Sequence, residues 1–338
     1  MITPCVKTGI SVYNHGMSQY SFNDKLPPET LQAICTTHGL GKIEHVLKPE
    51  QGNINLCLVV NNAYVLRFDV LDWGGANRYA GENWAYDILS TTDVPVSRVI
   101  ALDTSKRLAP YDYLILTKMP GQTISTTAAD LPYTTRYAIG YTAGQHLATM
   151  HNHTFDQFGL LYNLKAGKPS PDWSAYVADF FRYYHGQVQA LNILSSDVLA
   201  RITALSARMQ PLFAAVQQGV LIHGDYHFLN MLQQDGNFSA VLDFDWASSG
   251  DPSWDFRIDN DIESEVPGSR EAFYAGYTSR RQLPDGHWER VAFYRIILYL
   301  DFLEGSAEDE NEIAEIIPRL MHEIDWLETH LPLSSEIQ

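Results

Sequence analysis

The feature that most constrains the fold of this chain is a pair of short apolar runs, residues 220–222 and 240–242, joined by a polar loop. Short aliphatic runs bounded by turn-forming residues are typical of buried strands. Asp225 and Asn230 lie in the loop, and Asp243 directly follows the second run. Two neighbouring strands and their loop are therefore predicted to present two carboxylates and one amide to a single cleft.

This set of side chains suits the transfer of a phosphoryl group from a nucleotide. The reaction needs a carboxylate that orients the attacking hydroxyl and oxygen ligands that hold Mg²⁺ against the phosphates. An isolated Asp near a strand end is more commonly a turn former or a helix cap. His223 and His227 have a spacing that suits a metal on a helix, but Gly224 favours a loop and zinc sites usually have more ligands. We therefore interpret the segment as a kinase site.

The same segment resembles the catalytic loop of the aminoglycoside phosphotransferase and choline kinase group of small-molecule kinases. That loop reads His-Gly-Asp, four residues and then Asn, as residues 223–230 do here. The Gly-Asp-Pro at residues 250–252 and the later Asp255 also match, whereas residues 228–229 are Phe-Leu where the family often has Pro-Gly. The two later aspartates are interpreted as structural, and Asp245 either supports the metal ligands or has no role.

The resemblance implies an α+β, two-lobed, protein-kinase-like fold. A small β-rich amino-terminal lobe would contain an antiparallel sheet, and a larger carboxy-terminal lobe would be mainly helical. We expect these lobes to span residues 1–118 and 119–338, which fits the usual size of domains. The resemblance further implies Asp225 as the catalytic base, Asn230 and Asp243 as ligands of Mg²⁺, and ATP or GTP as the phosphoryl donor.

The amino-terminal lobe is predicted from a strand pattern. Apolar residues alternate along residues 54–60, an Asn-Asn pair suggests a tight turn, and a second strand follows over residues 63–70. The resemblance implies that Arg67 on this strand contacts nucleotide phosphates while Glu82, in a predicted helix over residues 78–89, fixes its direction. The alternative is a surface arginine and a solvated glutamate.

Two further segments are implied to contact the nucleotide. The loop over residues 48–55 would cover the phosphates, although its single glycine makes it a weak glycine-rich motif, and a hinge after the strand at residues 113–117 would bind the base through its backbone. The residues concerned are Gly52, Asn53 and Asn55 in the loop and Thr117 and Met119 at the hinge. Backbone recognition leaves the choice between ATP and GTP open.

The carboxy-terminal lobe is predicted to contain a helix over residues 134–151 and an aromatic stretch at residues 180–184, which either packs between helices or stacks on a substrate. An acidic cluster follows the catalytic segment. It comprises Asp259, Asp261, Glu263 and Glu265, of which the first three are the candidate substrate residues. This cluster is either a solvated helix face or, as the resemblance implies, a wall that holds amino groups of the substrate.

Composition narrows the partners. A formal net charge of −17 disfavours nucleic acid and anionic membranes as partners and would attract cations. The three cysteines form no C-x-x-C pair and are odd in number, so a disulfide framework is not expected. The start of the chain does not look like a signal peptide, and no apolar run is long enough to span a membrane. We therefore expect a cytoplasmic protein; its oligomeric state is open.

The sequence also separates this chain from protein kinases. Only residues 244–249 lie between Asp243 and Gly250, and no Ala-Pro-Glu follows, so there is no room for an activation segment. We predict a small-molecule O-phosphotransferase whose acceptor is aminoglycoside-like or another antibiotic. The alternatives are a metabolic kinase for choline, an amino alcohol or a sugar, and a non-catalytic nucleotide-binding protein of the same fold.

Overall fold

The structure is a computed structural model, and it describes residues 26–48, 55–70 and 78–331. The first part is built around a five-stranded antiparallel sheet with strand order β1-β2-β3-β5-β4. Its elements are α1 (Pro28–Thr37), β1 (Val46–Leu47), β2 (Leu56–Val60), β3 (Tyr64–Phe68), α2 (Arg78–Leu89), β4 (Val99–Asp103) and β5 (Tyr113–Thr117).

The hairpin between β2 and β3 shows why this sheet carries a charged residue on one face. Three residues lie between the paired Val60 and Tyr64, and the first two, Asn61 and Asn62, have φ values of 53° and 51°, a left-handed conformation that asparagine tolerates. Leu58 pairs with Leu66, and both are fully buried in the core. Because side chains alternate along a strand, Arg67 projects from the opposite face of β3, towards the cleft.

The second part is mainly helical and contains two small sheets, with strand orders β11-β10-β6 and β7-β9-β12-β8. Its strands are β6 (Gln122–Thr123), β7 (Thr154–Phe155), β8 (Gly159–Leu160), β9 (Gly219–Ile222), β10 (Met231–Gln234), β11 (Asn237–Val241) and β12 (Ser248–Gly250). Its helices are α3 (Ile124–Thr127), α4 (Tyr133–Met150), α5 (Leu161–Lys165), α6 (Trp173–Leu191), α7 (Ser196–Ala214), α8 (Asp259–Glu265), α9 (Arg270–Thr278), α10 (His287–Gly305) and α11 (Glu310–His330). Short 3₁₀ turns cover Ala128–Asp130, Phe228–Asn230 and Pro252–Ile258.

Helices α4 and α9 pack closely because small residues face each other. A Cβ atom at Gly144 would lie 1.9 Å from the carbonyl oxygen of Phe273, so only glycine allows this contact. Tyr226, in the loop after β9, donates a hydrogen bond of 2.8 Å to the carbonyl of Ala143. Helix α4 therefore supports the catalytic loop from behind.

The α+β prediction, with an antiparallel sheet beside a mainly helical part, is confirmed. The division at residues 118 and 119 stays a prediction. The two parts also contact each other through backbone hydrogen bonds. The backbone nitrogen of Val241, at the end of β11, donates a 2.9 Å hydrogen bond to the carbonyl of Pro95, and Val241 forms a β-bridge with Val96. Among the helices that the structure describes, none combines the length and hydropathy needed to cross a membrane.

Candidate active site

The loop after β9 is held in place by one buried carboxylate. Asp255, which is fully buried, accepts hydrogen bonds from the backbone nitrogens of His223 at 2.8 Å and Gly224 at 2.7 Å. Its Oδ2 also lies 3.1 Å from Nε2 of His151, at the end of α4. Gly224 has φ 86°, and a Cβ there would lie 2.5 Å from the carbonyl of Trp246. The loop can therefore turn here only with glycine.

The His223 ring connects this loop to the strand that leads to Asp243. Its Nδ1 accepts a 3.2 Å hydrogen bond from the backbone nitrogen of Asp225, and its Nε2 lies 2.9 Å from the carbonyl of Leu242. These partners place the proton on Nε2. Burial lowers the pKa of His223, so the ring is a neutral support that fixes the spacing between the two segments.

Asp225 projects from the loop into the cleft with 26% of its side chain exposed. Its Oδ2 accepts a 2.7 Å hydrogen bond from Nδ2 of Asn230, and Nε2 of His227 lies 3.4 Å away. Burial favours a higher pKa for Asp225, but the charge and hydrogen bond of His227 outweigh it and lower the pKa to about 2. Asp225 is therefore ionised, and Oδ1 is the oxygen left to accept a hydrogen bond from a substrate hydroxyl.

A second carboxylate holds the other side of the His227 ring. Nδ1 of His227 lies 3.0 Å from Oε1 of Glu265 in α8. Burial opposes protonation, but Asp225 and Glu265 together raise the pKa of His227 well above its ordinary value. His227 is thus a cation between two carboxylates, which is a different role from the metal ligand considered for it in the sequence.

Asn230 and Asp243 are brought side by side by a backbone hydrogen bond of 2.8 Å from Leu242 to the carbonyl of Asn230. Asp243 has φ 63°, a left-handed conformation that is uncommon for residues other than glycine and is tolerated by Asp. Its side chain is 45% exposed. Since Nδ2 of Asn230 donates its hydrogen bonds to Asp225, Oδ1 of Asn230 is the atom suited to coordinate a cation.

The carboxylates around Asp243 have the chemistry that a divalent cation needs. Oxygens of Glu82, Asp243 and Asp245 all lie within 4.8 Å of one another. In the described part of the chain, the buried Oε2 of Glu82 and Oδ1 of Asp245 have no hydrogen-bond donor. Hard oxygen ligands of this kind suit Mg²⁺. The residues present therefore fit the ion, with Asp243 as the carboxylate that is open to the cleft.

Arg67 lies at the centre of this group of acids. One of its nitrogens contacts Glu82, and Nη2 lies 3.1 Å from Asp243 Oδ1 and 2.9 Å from Asp245 Oδ2. Burial alone would lower the pKa of Arg67, but Asp243, Asp245 and Glu82 raise it well above its ordinary value. The structure thus brings together the arginine and glutamate that the sequence paired; their role in nucleotide binding stays a prediction.

Arg78 and Tyr79 belong to this cluster and were missed from the sequence, whereas Asn55 was predicted as a nucleotide residue and Asp245 was considered as a support for the metal ligands. Arg78, at the start of α2, lies 3.1 Å from Asp245 Oδ2 and also contacts Asn55, whose Nδ2 donates to the same carboxylate at 2.9 Å. Tyr79 donates a 2.9 Å hydrogen bond to Asn55. The only sequence signal for Asp245 was its position two residues after Asp243.

The remaining nucleotide residues are placed as follows. Thr117 ends β5 and its hydroxyl accepts a hydrogen bond of 2.9 Å from the backbone nitrogen of Arg98. Met119 is half-buried in the segment that leads to β6. Gly52 and Asn53 lie outside the described residues.

The three acidic residues of the predicted substrate wall have different surroundings. Asp259 is fully buried and accepts hydrogen bonds from Arg270 Nε at 3.0 Å and Tyr274 at 2.7 Å, and it also contacts Arg295. Glu263 accepts hydrogen bonds from two backbone nitrogens, those of Gly268 and Arg270. Asp259 and Glu263 therefore hold helices together.

Asp261 differs from its two neighbours. It is 9% exposed, and among the described residues no side chain or backbone group donates to its carboxylate. Burial raises the pKa of Asp261 to about 6, with His227 opposing the rise and Glu265 adding to it. Asp261 is therefore the member of the acidic cluster that remains suited to a cationic ligand beside the catalytic loop.

Comparison with known proteins places this site in a family. The sequence model described as the phosphotransferase enzyme family matches residues 46–294. No curated protein sequence matches the chain. The match covers the cluster around Arg67, the catalytic loop and the acidic residues of α8.

Solved structures with the same fold include aminoglycoside phosphotransferases. The gentamicin complex of APH(2'')-IIa has a TM-score of 0.66 at 15% identity and covers 88% of this chain and 96% of that one. The GDP and kanamycin complex of APH(2'')-IIIa has a TM-score of 0.64 at 18% identity, covering 87% and 97%. A putative aminoglycoside phosphotransferase from Ralstonia eutropha JMP134 has a TM-score of 0.64 at 17% identity, covering 89% and 98%. TM-scores of 0.64 to 0.66 at identities of 15% to 18% show a common fold.

Proposed function

We propose that this chain, which belongs to the phosphotransferase enzyme family, moves the γ-phosphate of ATP or GTP to a hydroxyl of a small molecule. One observation carries the proposal. The Asp225–Asn230 pair and the half-exposed Asp243 lie in one cleft with the Arg67–Glu82 ion pair. These are the parts that phosphoryl transfer needs, and they come from both halves of the chain.

Asp225 orients the acceptor. Its ionised carboxylate accepts a hydrogen bond from the acceptor hydroxyl through Oδ1, while Asn230 and His227 hold Oδ2 in place. A carboxylate with a pKa of about 2 is a weak base. That weakness suits a loose transition state, in which the hydroxyl proton leaves late and positioning supplies most of the rate enhancement.

Arg67 places the donor phosphates. Its guanidinium is oriented by Glu82 and lies beside Asp243, so a phosphate oxygen that approaches the cleft meets a fixed cation. Asn230 and Asp243 would hold Mg²⁺, which when bound neutralises charge on the phosphates. Loss of water from the cleft would strengthen these charge interactions.

The acceptor is proposed to be cationic at neutral pH, as aminoglycoside-like and several other antibiotics are. Asp261 supports this, because it is a nearly buried carboxylate without a donor among the described residues and it lies near His227 and Glu265. Choline, an amino alcohol or a sugar as acceptor would instead give the enzyme a metabolic role, and a role in resistance would follow from an antibiotic acceptor.

The test is acceptor-dependent release of ADP and GDP in the presence of Mg²⁺. The purified full chain is assayed with aminoglycosides, macrolides, choline, amino alcohols and sugars, and phosphorylated product is identified by mass. We expect product with one acceptor class and none when Mg²⁺ is chelated. Nucleotide binding without product from any class, including an unbiased metabolite extract, would contradict the proposal and indicate a binding protein.

A further inference from the structure

An aromatic pocket borders the catalytic loop. It is bounded on one side by Gly224, the residue before Asp225. Five of its eleven lining residues are aromatic. They are Tyr176, Phe180, Tyr184, Trp246 and Trp254. Aliphatic side chains of Leu160, Ile297 and Leu298 add to this wall, so a ligand group in this space would meet mostly apolar surface.

The charges in this pocket are few and opposite in sign. Arg257 donates to the carbonyls of Trp254 at 3.0 Å and Gly224 at 2.5 Å, and its guanidinium lies 4.7 Å from the centre of the Trp254 ring. Arg257 thereby ties the catalytic loop to the pocket wall. Asp301 from α10 is the carboxylate of the lining and is 6% exposed.

One arginine and one aspartate give the lining a formal charge of zero. A molecule with several ammonium groups would lose their hydration here and find one carboxylate in return, which is unfavourable. A flat apolar group would instead gain from burial and from ring-to-ring contacts. A single cationic nitrogen is also compatible with aromatic faces and one carboxylate.

We propose that this pocket binds an aromatic or similarly flat apolar group of the acceptor, with at most one cationic nitrogen, while the acceptor hydroxyl reaches Asp225. The inference rests on the proposed function, because it assigns the pocket to the acceptor of that reaction. Among the acceptors considered, it favours molecules with an apolar ring and disfavours polycations.

Helix α6 offers a matched pair of variants. The Phe180 ring contacts Tyr176 and Trp254, with ring centres 4.9 Å and 5.7 Å away, and lines the pocket. Phe181 is half-buried as well but packs on Phe293 and His185, at 5.7 Å and 5.2 Å. Phe180→Ala therefore changes the pocket wall, whereas Phe181→Ala removes a similar ring from the same helix outside it.

The experiment measures dissociation constants by titration calorimetry for four probes. These are 2-amino-3-phenylpropan-1-ol, the same molecule without its amine (3-phenylpropan-1-ol), the same molecule without its ring (2-aminopropan-1-ol), and the polycation kanamycin. We expect both ring-bearing alcohols to bind at least about tenfold more tightly than 2-aminopropan-1-ol and kanamycin. Phe180→Ala should weaken the ring-bearing alcohols by about tenfold or more and Phe181→Ala by less than about twofold.

Three results would overturn the inference. Kanamycin or 2-aminopropan-1-ol could bind more tightly than the ring-bearing alcohols, the ring-bearing alcohols could fail to bind, or the two variants could have equal effects. Because binding is measured without turnover, its failure is distinct from failure of the proposed function, which shows as missing phosphorylated product in the transfer assay.

Discussion

The surroundings of Asp225 decide what its carboxylate can do. Asn230 and His227 both contact Oδ2 of Asp225, and His227 is itself held by Glu265. A carboxylate that is ionised, oriented on one oxygen and available on the other can align a hydroxyl without first removing its proton. That arrangement fits phosphoryl transfer better than a reaction that begins with proton abstraction.

Arg67 gives the first prediction for a single residue. Its two terminal nitrogens contact three carboxylates, which the single ammonium of lysine cannot do in the same geometry. We expect Arg67→Lys to raise the KM for the nucleotide by about tenfold or more and to lower kcat. Steady-state kinetics with varied nucleotide measure both quantities.

Arg201→Lys is the control for that variant. Arg201 also contacts two carboxylates, those of Asp325 and Glu328, but it lies on the partly exposed outer surface of α7. Its replacement should leave the nucleotide KM unchanged. If KM and kcat of Arg67→Lys were unchanged, this would contradict a role of Arg67 in binding the nucleotide phosphates.

Asp261 gives a prediction about pH. Its pKa is raised from 3.8 to about 6 in the folded protein, so the folded state binds the proton more tightly than the unfolded state. Stability therefore falls as pH rises from about 4 to above 6, by roughly 3 kcal/mol for this one group. We expect Asp261→Asn to be more stable than the wild type at pH 7.5 and nearly equal to it near pH 4. Urea unfolding at both pH values measures the difference; an equal difference at both would contradict the assigned pKa.

At the scale of elements, sequence patterns within one segment predicted the bounds of single helices and strands. The helix over residues 78–89 and the strand over residues 113–117 have the predicted bounds, and the helix predicted over residues 134–151 is Tyr133–Met150. The hairpin strands are shorter than predicted, Leu56–Val60 and Tyr64–Phe68. Alternation and turn residues within one segment carry enough information for these elements.

Contacts between distant elements could not be predicted in this way. Arg78 and Asp245 are 167 residues apart, and Glu265 meets His227 only because α8 packs beside the catalytic loop. Periodicity within a segment gives no register between segments. The acids in α8 were likewise predicted to form either a solvated face or a substrate wall, but arginines from α9 and α10 surround Asp259 in the interior.

The two aspartates after β12 give a prediction at this scale. Asp255 holds the backbone of the catalytic loop, whereas Asp251 accepts hydrogen bonds from Arg290 at 2.6 Å and Tyr294 at 2.7 Å and holds α10. Both are buried, so replacing either by Asn should lower the free energy of unfolding by about 1–3 kcal/mol.

Only one of the two variants should change the chemistry. Asp255→Asn should lower kcat at temperatures where the protein is folded, because the backbone at His223 and Gly224 loses a charged acceptor. Asp251→Asn should keep kcat near the wild-type value. Equal kcat in both variants, measured with stability by chemical unfolding, would argue against positioning of the loop by Asp255.

At the scale of the whole molecule, the cleft joins the two parts of the chain. Arg67 on β3 and Asp243 after β11 are 176 residues apart and meet in one ion pair. A nucleotide bound there would contact both parts, so its binding free energy should stabilise the folded chain as a unit.

This predicts a rise in the unfolding temperature with nucleotide and Mg²⁺ together. Ligand at a hundred times its dissociation constant adds about 2.7 kcal/mol of stability. The shift, measured by calorimetry with ADP and with GDP, should be smaller when Mg²⁺ is chelated and smaller in Arg67→Lys. If neither chelation of Mg²⁺ nor Arg67→Lys altered the shift, the nucleotide would bind outside this cleft.

The measurement that bears most directly on phosphoryl transfer at Asp225 is turnover of Asp225→Asn beside its nucleotide affinity. The amide keeps the shape of the side chain and an oxygen that can accept the hydrogen bond from Asn230, but it removes the charge that orients the hydroxyl. We predict that acceptor-dependent product formation falls by about two to four orders of magnitude while the nucleotide dissociation constant changes by less than about threefold. Turnover like that of the wild type would contradict the assignment of Asp225 as the catalytic base.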